Sequence, residues 1–181
     1  MANKKRLKAG TGDKAFFDMA HPKIKSAKRL KLIINRLRRR GRRIGFTNGC
    51  FDVLHYGHVR YLEEAKKTSD ILIVAVNNDR SVMRLKGPGR PICTLKERMG
   101  VLAGLSSVDF VTSFGQDTPA EIIGYLRPDI ILKGADYKIE EIVGAGLVSS
   151  YGGEVKRIKY LKGYSASGII NRISGRYNRS S

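Results

Sequence analysis

Nowhere does the sequence run apolar and uncharged for the roughly 18 residues that a membrane-crossing helix needs, so a soluble protein is expected. Cysteine is nearly absent: Cys50 and Cys93 are the only two, and they form neither a C-x-x-C pair nor a disulfide framework. With no secretory signal either, the expected compartment is the reducing cytoplasm. Acidic residues are few, 16 Asp and Glu against 35 Lys and Arg, leaving a formal net charge of +19. Three nucleotide and hydrolase signatures are missing. The chain has no G-x-x-x-x-G-K-[ST] loop and no G-x-G-x-x-G, which argues against a P-loop ATPase and a hydride-transferring dinucleotide enzyme. It has no G-x-S-x-G elbow, which argues against a serine hydrolase of that type. There are no internal repeats.

A hydrophobic content of 41% over 181 residues suffices for one ordinary domain with a real core. The charge is unevenly placed. Residues 1–43 carry sixteen Lys and Arg against two Asp, whereas the rest carries nineteen against fourteen acids. Residues 1–26 therefore read as a basic, loosely docked arm, 27–173 as the folded domain and 174–181 as a frayed tail. Within the basic part, Leu30, Ile33, Ile34 and Leu37 recur at helical spacing after Ser26, a candidate N-cap, and Gly41 closes the pattern. The opposite face is Lys28, Lys31, Arg36 and Arg38–Arg40. Such a face is either a docked helix with a solvated exterior or a contact for nucleic acid. No aromatic residue interleaves with the charges, which argues against stacking on single strands.

Beyond residue 43 strands and helices alternate. Strands are expected at 44–47, 71–76, 108–112, 130–132 and 154–158. Helices are expected at 59–67, 78–85, 95–105, 119–126, 139–149 and 166–173. The run Ile71–Val76 is apolar throughout, as a strand covered on both faces must be. The alternation implies an α/β fold, a Rossmann-like doubly wound parallel sheet of five strands with helices on both faces. Ligands of such sheets lie at the carboxyl ends of the strands, so the loops after the first, second and fourth strands matter most.

The first of those loops is Phe46-Thr47-Asn48-Gly49-Cys50-Phe51-Asp52-Val53-Leu54-His55-Tyr56-Gly57-His58. A strand ending in a small turn and leading to a helix N-terminus is suited to phosphate. His55 and His58 hold two of the three histidines of the chain, and Gly57 between them lets a ligand approach. A zinc site would need further ligands at suitable spacing, and a purely structural pair is the other alternative. The later loops add cations: Arg84, Lys86 and Arg90 after the second strand, Arg98 on the next helix, and Lys133 after the fourth strand. Near the C-terminus Ser165 and Ser167 stand at the start of the last helix, a second place for an anion or simply an N-cap.

T-N-G-C-F-D-x-L-H-x-G-H, followed by V-N-x-D and R-L-K-G-x-x-R-P, resembles the nucleotidyltransferase superfamily that carries the H-x-G-H signature. Within it, the E-R-M, S-F-x-x-D-T-P, L-K-G-x-D-Y and Y-G-G-E-V stretches resemble the D-glycero-β-D-manno-heptose 1-phosphate adenylyltransferases, over about residues 30–173. Glycerol-3-phosphate cytidylyltransferases are similar, but usually carry R-T-x-G-I-S-T-T near the end. Here the family's closing S-T-T is Ser165-Ala166-Ser167, one hydroxyl fewer.

The resemblance implies transfer of AMP from ATP to a sugar 1-phosphate, giving ADP-heptose and pyrophosphate. CTP with glycerol 3-phosphate or a similar acceptor is the alternative. It implies catalytic roles for His55, His58 and Lys86. Nucleotide contacts are implied for Thr47, Asn48, Gly49, Phe51, Asp52, Gly57, Lys133, Gly134, Asp136, Tyr137, Ser165 and Ser167. Arg90 and Arg98 would meet the acceptor phosphate. Mg²⁺ would arrive with ATP, with no dedicated protein ligands. A separate sugar kinase would supply the substrate, and similar enzymes are commonly dimers.

Overall fold

Five short strands set the architecture, four of them mainly apolar or β-branched and the edge strand at 154–158 largely charged. In the computed structural model, which describes residues 21–159, 161 and 163–177, they are β1 (Ile44–Gly49), β2 (Ile71–Asn77), β3 (Phe110–Phe114), β4 (Ile130–Gly134) and β5 (Glu154–Ile158). All pair in parallel in the order β3-β2-β1-β4-β5. Each connection carries helix: α1 (Ala27–Arg38) precedes β1 and α2 (Tyr56–Lys66) follows it. Next come α3 (Asp79–Lys86), α4 (Leu95–Gly104), α5 (Ala120–Leu126), a 3₁₀ turn (Ile139–Glu141), α6 (Ala145–Ser149) and α7 (Ala166–Tyr177). No helix among the described residues is long and apolar enough to cross a membrane.

The period-two geometry of a strand explains the all-apolar β2. Leu72, Val74 and Val76 pack into one core with Leu62 and Ala65 of α2 and Met99, Leu102 and Ala103 of α4. Ile73 and Ala75 face the other core, with Leu30 and Ile34 of α1 and Ile122, Ile123 and Leu126 of α5. The sheet is thus covered on both faces.

The strand order reverses between β1 and β4. β1 leads to β2 and β3 on one side, and the chain returns to β4 on the other. The crevice outside the carboxyl ends of β1 and β4 is where a fold of this kind takes ligand. It is bounded by Gly49 at the end of β1 and Gly134 at the end of β4.

Among the boundaries that differ from the sequence expectation, four change the layout. First, the arm does not extend to residue 26. Ile24 is buried in the core, and Lys25 N–H donates to Val111 O at 2.9 Å while Val111 N–H donates to Lys23 O at 2.9 Å. Residues 23–25 thereby pair with the β3 edge, and Lys23 Nζ donates to Leu105 O at 2.7 Å. Residues 1–20 lie outside the described residues. Second, α2 starts at Tyr56 and not Val59. Third, the segment 139–149 is not one helix, because Gly144 at φ 92° separates the 3₁₀ turn from α6. Fourth, α7 runs on to Tyr177, so 174–177 is helical; 178–181 lie outside the described residues.

Part of the basic face of α1 is engaged internally. Ser26 caps the helix by accepting from Arg29 N–H. Lys31 Nζ donates to Leu126 O at 3.3 Å and Arg38 donates to Arg127 O. These two cations satisfy carbonyls at the C-terminus of α5, where positive charge is favoured. Arg38 also pairs with Asp129 at 3.3 Å.

Candidate active site

Strand β1 delivers the first part of the site. Thr47 is buried, and its hydroxyl shares a 2.9 Å hydrogen bond with the Tyr61 phenol of α2. Burial holds that phenol protonated. The pair ties the end of β1 to the helix that carries the histidines. Asn48 Oδ1 is buried without a partner among the described residues. Its backbone O accepts from Lys133 Nζ at 3.3 Å, which spans the β1–β4 crevice. Burial lowers the Lys133 pKa to about 8. Its ammonium lies 6.0 Å from the ring of Tyr137, in the loop after Gly134. Tyr137 and Asp136 are both exposed on that loop.

After Gly49 the chain turns sharply. Phe51 sits at φ 46°, a region non-glycine residues seldom occupy, and its ring is buried. A Cβ on Gly49 would stand 3.2 Å from that ring, so any larger residue would press on the ring where it meets the strand end. The ring centroid of Phe51 lies 5.2 Å from His58.

His55 is the N-cap of α2, with extended backbone and no side-chain cap bond. His58 lies in the first turn, and the two imidazoles stack with centroids 3.8 Å apart and planes 24° apart. Burial lowers the His58 pKa to about 4, assisted by the neighbouring His55, and burial also lowers that of His55. At neutral pH both rings are neutral, each with one N–H donor and one acceptor. Both Nδ1 atoms are buried without a partner among the described residues. A buried polar atom left unpaired is costly. Two such atoms, on His55 and His58, stand at a helix N-terminus whose dipole favours an anion.

Gly57 plays a different part from the one expected. A Cβ there would lie 3.0 Å from Tyr164 Cβ and 3.1 Å from the His55 ring. Its missing side chain makes room for protein and brings the start of α7 against the start of α2. Tyr164 and Tyr56 meet edge to face at 5.4 Å across the same junction. Ser165 caps α7, its Oγ accepting from Gly168 N–H at 3.0 Å, and Ser167 is exposed in the first turn. Two helix N-termini therefore converge on one spot. The two tyrosines escaped the sequence reading, although Tyr56 stands between the two histidines.

On the other side of the turn lie the remaining cations. Lys86 is exposed in the last turn of α3, and its charge is felt at Cys50, where burial pushes the thiol pKa up and Lys86 pulls it back. Arg90 Nε lies 2.7 Å from Asp52 Oδ2. Arg84 turns away to Asp117 at 2.7 Å and Gly115 O at 2.8 Å.

Arg98 and Asp52 do not sit as the sequence suggested. Arg98 is buried; it donates to Cys93 O at 3.0 Å, Asn77 O at 2.8 Å, Asp79 Oδ1 at 2.7 Å and also Cys50 O. Its donors are spent inside the protein, leaving none exposed for an acceptor phosphate. Asp52 is also buried, and its Oδ1 accepts from Ile92 N–H at 2.6 Å and Cys93 N–H at 3.0 Å. That carboxylate is occupied by the protein, so it does not face an open position for metal or substrate.

This arrangement can hold a polyphosphate: backbone amides at two helix starts, neutral imidazole donors, and Lys133 and Lys86 at the rim. The cytidylyltransferase-like family model matches residues 46–172. The chain belongs to that family. This cytidylyltransferase-like chain is 48% identical over 157 residues to the bifunctional protein HldE of Syntrophotalea carbinolica, covering 87% of this chain and 32% of that protein. It is 53% identical over 144 residues to the bifunctional protein HldE of Azotobacter vinelandii, covering 80% and 30%. It spans about a third of the length of these curated relatives. Among solved structures, the lipopolysaccharide core biosynthesis protein of Thermoplasma volcanium matches with a TM-score of 0.54 and 30% identity, over 69% of this chain and 100% of that one. A pantoate-β-alanine ligase from Francisella tularensis shares the fold, with a TM-score of 0.54 at 17% identity, over 84% of this chain and 77% of that one.

Proposed function

We propose that this chain transfers AMP from ATP to D-glycero-β-D-manno-heptose 1-phosphate, releasing pyrophosphate and forming ADP-heptose. The observation that carries this reading is the stacked, neutral His55–His58 pair with unpartnered nitrogens at a helix N-terminus facing a second one. The identity of about half to the HldE proteins supports the choice of acceptor.

In the reaction an oxygen of the sugar phosphate attacks the α-phosphorus. A new P–O bond forms as the bond to the β-phosphate bridging oxygen breaks, and that oxygen leaves with pyrophosphate. The attacking oxygen is already ionised, so the protein supplies no nucleophile and no base. Its work is positioning and stabilisation of negative charge. His58 and His55 donate to the phosphate oxygens, which gain charge as the transition state forms. Thr47, Asn48, Gly49 and Phe51 shape the backbone turn beneath the α-phosphate. Lys133, Gly134, Asp136 and Tyr137 surround the nucleotide, and the start of α7, with Ser165 and Ser167, receives the β- and γ-phosphates. Lys86 offsets charge at the reacting phosphates and Arg90 meets the acceptor.

Among the described residues no three His, Cys, Asp or Glu gather to hold a metal, and Asp52 is taken by Ile92, Cys93 and Arg90. Mg²⁺ therefore fits as the nucleotide's own ion, held by phosphate and water oxygens and screening their charge. A sugar kinase must supply the acceptor. The two free thiols suit a reducing cytoplasm.

The test is pyrophosphate release with ATP or CTP against heptose 1-phosphate and glycerol 3-phosphate. Turnover is expected with ATP and the heptose phosphate. A clear preference for CTP and glycerol 3-phosphate overturns the assignment.

A further inference from the structure

We infer that Asp52 is a positioning residue for the acceptor side: it aims Arg90, and through the same carboxylate it locks the acceptor loop to the nucleotide turn. The inference rests on the nucleotidyl-transfer reading and extends it to a residue whose side chain reaches neither substrate.

The two oxygens of Asp52 do separate jobs. Oδ1 accepts the backbone N–H groups of Ile92 and Cys93. This fixes the Gly87–Cys93 loop against the turn that holds Phe51. Oδ2 lies 2.7 Å from Arg90 Nε, a contact of charge, since the two atoms are not aligned as a hydrogen bond. The Asp52 side chain is 2% exposed and that of Arg90 is 19% exposed. A guanidinium held by Nε keeps its two terminal nitrogens for another partner, and a planar fork suits a phosphate. Neither terminal nitrogen of Arg90 bonds another described residue.

Arg98 reinforces the lock from below. It donates to Cys50 O on one side of Phe51 and to Cys93 O at the end of the acceptor loop. The left-handed backbone of Phe51 is thus pinned on both flanks, at Cys50 by Arg98 and at Asp52 by the Ile92 and Cys93 amides. Those pins hold the Phe51 ring against His58. Acceptor loop and histidine pair move as one body, so the attacking phosphate and the α-phosphate keep their relative placement. Small displacements at that stage are costly to rate.

The substitution that isolates the aiming role is Asp52→Asn. Asparagine retains the Oδ1 acceptor for Ile92 and Cys93 and loses the charge that holds Arg90. With ATP and heptose 1-phosphate as probes, KM for the sugar phosphate should rise about tenfold or more, on the scale of one lost charged contact. KM for ATP should stay within about twofold. In an Arg90→Ala background, the same change should add little, because a residue acting through Arg90 has nothing left to aim. Thermal unfolding of each variant separates these effects from loss of fold. Equal rises in both KM values, or an undiminished effect without Arg90, overturns the inference while wild-type turnover leaves the transfer reading intact. Absence of wild-type turnover with any acceptor overturns that reading first, and this inference with it.

Discussion

Lowering the pH should unfold this protein partly through a single imidazole. In the folded chain His58 has a pKa of about 4 against an ordinary 6.5, because burial and the stacked His55 disfavour its charged form. The unfolded chain therefore binds a proton between those values that the folded chain refuses. Stability rises with pH wherever the unfolded state holds more protons. The contribution is fully present above pH 6.5 and is lost as the pH falls toward 4. Each pH unit in that window favours unfolding by about 1.4 kcal/mol. From pH 7 to pH 4.5 the loss at His58 is about 2.5 kcal/mol. At about 2–4 °C per kcal/mol for a chain of this size, that is about 5–10 °C in Tm. The assay is the drop in Tm between pH 7 and pH 4.5 for wild type and for His58→Gln, which cannot titrate. The carboxylates contribute equally to both proteins, so the difference between the two drops isolates the imidazole. The variant should lose about 5–10 °C less than wild type. Parallel curves would refute the burial of a neutral pair, and with it the account of how the site presents neutral donors to phosphate.

Three further outcomes are expected. His58→Ala should lower kcat about 10²-fold or more, the scale for removing one transition-state donor; wild-type-like turnover would remove the imidazole from the chemistry. Because the Lys133 ammonium has a pKa of about 8, it loses its charge as pH rises through that value. KM for ATP should climb above pH 8 in wild type, and Lys133→Gln, with a higher KM throughout, should show a flat profile there. Removing residues 1–20 should leave Tm and turnover near wild type, whereas removing 1–26 should cost about 3–6 kcal/mol, from a core isoleucine and a helix cap; identical melting of the two truncations would mean that Ile24 is not part of the core.

The fold was legible because its signals are local. A strand such as Ile71–Val76 announces itself by an unbroken apolar run, and the helix after Ser26 by its cap and a 3.6-residue repeat, although it ends at Arg38 and not at the expected residue 40. What escaped was set by distant partners or by single backbone angles. Val108 is as apolar as any strand residue, yet β3 begins at Phe110, because pairing opposite Ile73 of β2 fixes where the ladder runs. Helix α2 starts on Tyr-Gly-His, residues of modest helix propensity, so no periodic pattern marks its first turn. Gly144 at φ 92° breaks a segment whose composition alone allows one helix. The docking of Ile24 on β3 joins residues some 87 positions apart (111 − 24), and nothing near Ile24 foretells it.

At the site the same division decides which residues could be read. The histidines declare themselves by spacing on one chain segment, and they do meet. Cations such as Arg90 and Arg98 look alike in sequence, since each follows the second strand and each carries a guanidinium. Their surroundings separate them: Arg98 is enclosed by three backbone carbonyls and Asp79, whereas Arg90 has one carboxylate at its Nε and a partly open fork. A buried arginine whose three nitrogens all donate within the protein is a structural strut, and its removal leaves carbonyls at the ends of β1 and β2 without partners. An arginine with one nitrogen beside a carboxylate keeps its fork available for a ligand, which is the role proposed for Arg90. The difference between strut and binding group lies in how many donors the fold itself consumes, and only the folded chain supplies that count.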